Sequence, residues 1–227
     1  MSTQFFKATR PDGTDFRTGR IDYAAALGGD PIALPTVGYP QCCTGDVLHA
    51  STVAAETLIG GGWQCRLFLV EGEPVAEEGH KRGFFSLRVV EEIDPHHALG
   101  PNGAEVARVI EKARNLTEDQ ANAINTTWDA TRSAVGGATG DAAEDAARHS
   151  AWAAAGSAAW AAAGSAAWSD AGSDAGSVAW AASWAASCSA ARAAVVRDLI
   201  SDKHYQTLAG PWESVMGPIF EDKEQEA

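Results

Sequence analysis

The sequence predicts an α+β protein: a small mixed α/β unit over residues 1–98, followed by an Ala-rich, all-helical region over residues 99–227. Three observations predict it. Before residue 98 the apolar residues come in short alternating runs broken by Gly and Pro, which is strand patterning. After Pro95-His96-His97 they recur at helical spacing behind capping pairs. Between residues 151 and 194 the composition collapses onto Ala, Ser, Trp and Gly.

The elements follow in chain order. Phe5-Phe6-Lys7-Ala8-Thr9 reads as a strand. Pro11-Asp12-Gly13 reads as a turn, because Pro presets φ and Gly accepts a positive one. The chain is expected to return through Asp15-Phe16-Arg17, and residues 28–46, rich in Gly and Pro, to form a long loop. Val47-Leu48-His49 is a short strand. Ser51 is placed to cap a helix through Val53, Ala54, Thr57 and Leu58, ended by Gly60-Gly61-Gly62. Trp63 to Val70 alternates, with Trp63, Cys65, Leu67 and Leu69 on one face. Glu71-Gly72-Glu73-Pro74 turns the chain into a strand from Phe84 to Ile93, with Phe85, Leu87 and Val89 on one face. The expected head is about four strands with one helix packed on them.

Asn102 with Glu105 is a capping pair ahead of Val106, Val109, Ile110 and Ala113, which share one helical face. Thr117 with Gln120 is a capping box for a helix running to Val135, broken by Gly136-Gly137 and Gly140; Asp141 starts the next. Near the end, Val195, Val196, Leu199 and Ile200 form an amphipathic face. Ser201-Asp202 caps a turn through Tyr205 and Leu208, Gly210-Pro211 breaks it, and Trp212, Val215 and Met216 dock a last short helix.

Charge narrows the function. Lys and Arg number 17 against 30 Asp and Glu, a net charge of −13, and both halves are acidic. Such a chain is repelled by phosphate, so neither nucleic acid nor an anionic membrane is expected as a partner. The opening Met-Ser-Thr-Gln-Phe-Phe-Lys has no basic stretch followed by an apolar one, so no secretory leader is expected there. Cys42, Cys43, Cys65 and Cys188 contain no C-x-x-C, which predicts free thiols in a reducing cytoplasm and no metal site. The uncharged stretch Ala151 to Ser169 is Ala, Gly, Ser and Trp, which gain too little from hydrocarbon to predict a membrane span.

That stretch belongs to the most unusual segment. Of the 44 residues from 151 to 194, 22 are Ala, 8 Ser, 5 Trp and 4 Gly. The octet Ala-Trp-Ala-Ala-Ala-Gly-Ser-Ala begins at Ala151 and repeats at Ala159. Trp152, Gly156, Trp160, Gly164 and Trp168 follow at intervals of four, with Trp180 and Trp184 continuing the spacing. Ala predicts helix. Each step of four overshoots one helical turn by about 40°, so a straight helix cannot present every Trp to one neighbour. The helix therefore lies among several partners, supercoils right-handedly, or breaks at Gly-Ser. Small residues permit close helix approach and Trp fills the space between repeats. The segment is read as a packing device, within the chain or between copies.

Candidate chemistry is sparse. No G-x-S-x-G, P-loop or dinucleotide G-x-G-x-x-G occurs. Cys43 with His49 is a possible nucleophile pair set against a buried thiol, and no catalytic residue is assigned. His80-Lys81-Arg82 is the strong cluster of positive charge, read either as an anion site for phosphate or carboxylate or as a solvated hairpin turn.

Two resemblances add to this. An opening strand with Lys7-Ala8, a Cys-x-x-Gly-x-x-x-His core at Cys42, Gly45 and His49, and a closing strand from Lys81 to Val90 resemble a domain family of phage and actinobacterial genomes. The block Val195-Val196-Arg197-Asp198-Leu199-Ile200, followed by Gly210-Pro211-Trp212, resembles the ends of other such proteins. Val47-Leu48-His49-Ala50-Ser51-Thr52, then Leu58-Ile59-Gly60, resembles the ADP-ribosyltransferase fold. That resemblance implies NAD as cofactor, with His49 contacting it and Glu91 or Glu92 in the position of the catalytic Glu. The expectation is a non-enzymatic phage or actinobacterial accessory protein without cofactor. Its head would bind a small anion or a protein partner through His49, Ser51, His80, Lys81 and Arg82. Its helical region would self-associate through Trp152, Gly156, Trp160, Gly164, Trp168, Trp180 and Trp184. The alternative is an NAD-dependent ADP-ribosyltransferase-like enzyme or an inactive relative.

Overall fold

The computed structural model describes residues 3–42, 44–58, 61–135 and 177–220. It is a mixed α+β structure of two compact units, residues 1–100 and 101–227.

The first unit holds one seven-stranded sheet. Its strands are β1 (Gln4–Thr9), β2 (Ile32–Ala33), β3 (Leu48–Ser51), β4 (Arg66–Glu71), β5 (Ala76–Glu78), β6 (Lys81–Phe84) and β7 (Ser86–Ile93). Their order is β2-β7-β4-β1-β3-β6-β5, and every pairing is antiparallel. β1 pairs with β4 along its whole length, from Gln4 opposite Glu71 to Thr9 opposite Arg66. On its other side β1 meets β3 at Phe6 opposite Ser51.

Strand alternation gives the sheet two faces. The face carrying Phe5 also carries Leu48, Phe68 and Phe84, and the loop after β1 covers it with Tyr23, Ile21, Ala24 and Leu34. Phe5 and Phe84 meet edge to face at 5.0 Å. The face carrying Phe6 holds Ala8 and Leu67, both buried. Two 3-10 turns, Ala54–Glu56 and Pro95–Leu99, pack on one another; the first also meets β1 and the second β4.

The head departs from expectation in several places, among them β2, which lies inside the loop expected over residues 28–46. The expected helix after Ser51 is a single 3-10 turn. Ser51 ends β3, and its Oγ accepts from the Val53 N–H at 3.1 Å. Only Ala55 and Leu58 of that stretch are buried, a spacing of three that suits the tighter helix. The expected strand from Phe84 is two strands, β6 and β7, with Phe84 closing the first; β5 is a further strand pairing β6. β4 buries Leu67 on one face and Phe68 and Val70 on the other rather than one alternating face, because both faces of a central strand are covered. The stretch after Gly13 does not return as a strand. It folds around the Asp15 carboxylate, which accepts from the backbone of Thr18 (2.6 Å), Arg20 (3.0 Å) and Ile21 (3.0 Å) and from the Thr18 hydroxyl (2.8 Å). Those bonds outweigh the effect of burial and hold its pKa down to about 2.

The second unit contains α1 (Gly103–Arg114), α2 (Glu118–Val135), α3 (Ser177–Val195), a 3-10 turn at Arg197–Leu199 and α4 (Asp202–Met216). α1 buries Val106, Val109, Ile110 and Ala113 as its spacing predicts. The Thr117–Gln120 box forms, with Gln120 Oε1 accepting from the Thr117 N–H at 2.9 Å and Thr117 Oγ1 from the Gln120 N–H at 3.3 Å. The Asn102–Glu105 pair does not cap. Asn102 instead donates through Nδ2 to the Ala194 carbonyl (3.1 Å) and to Asp198 (3.2 Å), tying α1 to the end of α3.

α3 packs against α1, α2 and α4. From Ala186 to Val196 it is buried except for a half-exposed stripe at Ser189 and Arg192. This stretch therefore lies among several helices; the Trp repeat before it lies outside the described side chains. Ser201 caps α4 by accepting from the His204 N–H at 3.2 Å. Gly210-Pro211 does not break α4, which runs through Pro211 to Met216. An interior Pro costs about 3 kcal/mol. Trp212, 0 % exposed, is worth that or more if buried only by continuing the helix.

Two tests follow. Asp15→Ala should lower the unfolding free energy by about 2 kcal/mol in urea titrations at neutral pH. The carboxylate's folded pKa lies below its unfolded one, so its stabilisation is full above the ordinary Asp range and fades as pH falls through about 2. Ala190→Leu, at a fully buried position of α3, should overpack and cost about 1–3 kcal/mol in the same assay.

Candidate functional site

β3 lies between β1 and β6, and its register with β6 sets Ala50 opposite Arg82, His49 opposite Gly83 and Ser51 opposite Lys81. Consecutive residues of a strand point to opposite faces. His49, Ser51 and Lys81 therefore share the Phe6 face, while Arg82 lies on the Phe5 face. The run His80-Lys81-Arg82 is thus not one cluster. His80 is exposed in the turn before β6, its Nδ1 3.1 Å from the Thr52 hydroxyl. Arg82 Nη1 donates to the carbonyls of Gly79 (2.7 Å) and Lys81 (2.9 Å), and its Nε stands 3.6 Å from Glu77. These three contacts clamp the β5–β6 hairpin.

The charge around His49 comes instead from three separate segments. Burial first, and then the charges of Lys7, Lys81 and Arg17 in that order, lower its pKa to about 4. Lys7 is a half-buried ammonium on β1, 4.9 Å from the centre of the Tyr23 ring. Burial brings its pKa down to about 8; Asp15 works against that shift and Lys81 adds to it. Among the described residues its Nζ has no hydrogen-bond acceptor. Burial and the Asp15 charge push the Tyr23 phenol above its ordinary range. At neutral pH His49 is therefore an uncharged imidazole that feels the charges of Lys7, Lys81 and Arg17.

Lys7, Arg17, Tyr23 and Asp15 were not singled out from the sequence. Lys7 did leave a signal: it is a lone charge in the apolar strand Phe5-Phe6-Lys7-Ala8, where a cation needs a reason. Ser51 joins the site by register, but its Oγ serves the turn that follows. Glu92 is held by Arg66 through two bonds of 2.7 and 2.6 Å, Glu91 is exposed, and β7 stands two strands away from β3 in the sheet, beyond β4 and β1.

Cys42, Cys65 and Cys188 form no disulfide, and burial pushes the Cys65 and Cys188 thiols up to about 12, far from nucleophilic. Cys43, Trp152, Gly156, Trp160, Gly164 and Trp168 lie outside the described residues. Trp180 and Trp184 lie on α3, their side chains outside the described set. Among the described residues no group of three or more His, Cys, Asp or Glu is placed to hold a metal. No helix among them is long and apolar enough to cross a membrane. No family model, curated protein or solved structure matches the chain.

The electrostatics yield a direct test. In an NMR pH titration the His49 ring should titrate near pH 4, and Lys7→Gln should raise that value by removing a repelling cation. The folded pKa lies below the ordinary His value, so the unfolded chain binds the proton more readily. Stability contributed by the neutral ring is therefore lost as pH falls from the ordinary His range toward 4.

Proposed function

We propose that the first unit is a non-enzymatic binding head for a small anionic ligand, and that the Ala/Trp-rich helical region packs and self-associates. The observation that carries the head is the half-buried Lys7 ammonium over the Tyr23 ring, without an acceptor among the described residues and close enough for its charge to be felt at His49. A phosphate or carboxylate there would gain from Lys7, with Lys81 and Arg17 adding to the field. The net charge of −13 limits the ligand to something small, since a polyanion meets repulsion everywhere else. The support for packing is the burial of small residues along α3. Self-association extends that reading to the Trp and Gly octets, which lie outside the described residues. The family resemblance sets such a protein among phage or actinobacterial accessory proteins of the cytoplasm.

The test is isothermal titration of the full chain with inorganic phosphate near pH 8. Anion binding raises the Lys7 pKa from about 8, so the complex takes up protons, and affinity falls as pH rises through that value. Lys7→Gln should weaken binding by about tenfold with circular dichroism unchanged. Equal affinity in the variant removes Lys7 from the site. Consumption of NAD that His49→Ala abolishes would replace this reading with the transferase alternative. Sedimentation that stays monomeric at all concentrations would end the self-association half.

A further inference from the structure

A second place in the first unit is shaped for a ligand. An open cavity of about 550 Å³ lies on the Phe5 face, where β1, β3 and the β5–β6 hairpin approach. That volume is in the range of small-molecule sites. Its walls are Phe5, Thr52, Glu73, Pro74, Glu77 and Arg82. Gly72 makes the cavity possible. A Cβ there would stand 2.6 Å from the Ser86 carbonyl oxygen, so only glycine lets this turn lie down against the sheet.

The charges in the walls select the ligand. The Arg82 side chain is 19 % exposed and its guanidinium is half used: Nη1 holds two backbone carbonyls and Nε leans toward Glu77, whereas Nη2 has no partner among the described residues. A mostly buried guanidinium with donors left over favours a carboxylate or phosphate. Glu73 and Glu77 are exposed carboxylates of the same cavity. They repel a phosphate dianion and attract an ammonium, while Arg82 repels a simple amine. Phe5 and Pro74 offer apolar surface between them. We propose that this cavity binds a zwitterionic α-amino acid with an apolar side chain, its carboxylate on Arg82 Nη2, its ammonium on Glu73 and Glu77, and its side chain against Phe5 and Pro74. Lys7 shares the Phe5 face, but neither it nor Tyr23 lines this cavity, so the two sites are distinct.

The experiment is isothermal titration of the full chain with L-leucine, L-leucinamide and 4-methylpentanoate, the last two lacking the carboxylate and the ammonium in turn. Leucine should bind, and each analogue should bind about tenfold more weakly or worse. Arg82 clamps the hairpin, so the test variant is the exposed Glu73→Gln. It should weaken leucine about tenfold and leave 4-methylpentanoate unchanged. It should also leave phosphate binding at Lys7 unchanged, which separates the two sites. Leucine that does not bind, an analogue that binds as well as leucine, or a Glu73→Gln protein that binds leucine normally overturns the proposal.

Discussion

The backbone pairing of β1 is the constraint on which the head depends. β1 runs against β4 for six residues and touches β3 through the single pair Phe6 and Ser51. An interior strand of this kind has little choice about where its side chains go. Phe5 enters one core, Phe6 and Ala8 turn to the other, and Lys7 is delivered to the Phe5 face beside Tyr23. A lysine at such a position loses hydration that no single contact restores. The Tyr23 ring offers its negative face and Asp15 offers charge. Asp15 is already engaged by four donors from its own loop, so its charge is largely committed there. Burial, with the residual positive field added to it, keeps the His49 imidazole neutral.

The same alternation divides what the sequence presents as one basic run. Lys81 and Arg82 are neighbours in the chain and belong to different faces of the sheet, one with His49 and the other with the cavity beside Phe5. In an acidic protein this matters more than the count of cations. Each cation acts on its own face at short range, where burial weakens screening by water and salt.

The helical unit depends on smallness instead of on charge. From Ala186 on, α3 is buried on nearly all sides and its residues are small, such as Ala186, Ala190 and Ala194, so its neighbours can approach its backbone closely. Such a helix gains little from each side chain and depends on continuous contact. Ties like the Asn102 bond to the Ala194 carbonyl fix where it ends. In α4 the burial of Trp212 overrides the local penalty of Pro211, as tertiary packing commonly overrides propensity.

By itself the sequence determined whatever depends on neighbours within one turn or one strand. The Thr117–Gln120 box, the Ser201 cap, the buried face of α1, the strand from Phe5 to Thr9 and the mixed α+β class were all legible. Of the candidate site, His49 and Lys81 were legible as chemistry-bearing residues. Their company was not, since Lys7 and Arg17 lie more than thirty residues away in the chain and reach His49 only through the order of strands. The helix expected after Ser51 and the break expected at Pro211 both failed for the same reason. Capping residues and Pro bias the backbone by one to three kcal/mol, roughly what one buried side chain contributes. Which side chains are buried is decided by strand register and helix packing, and these are properties of the folded chain.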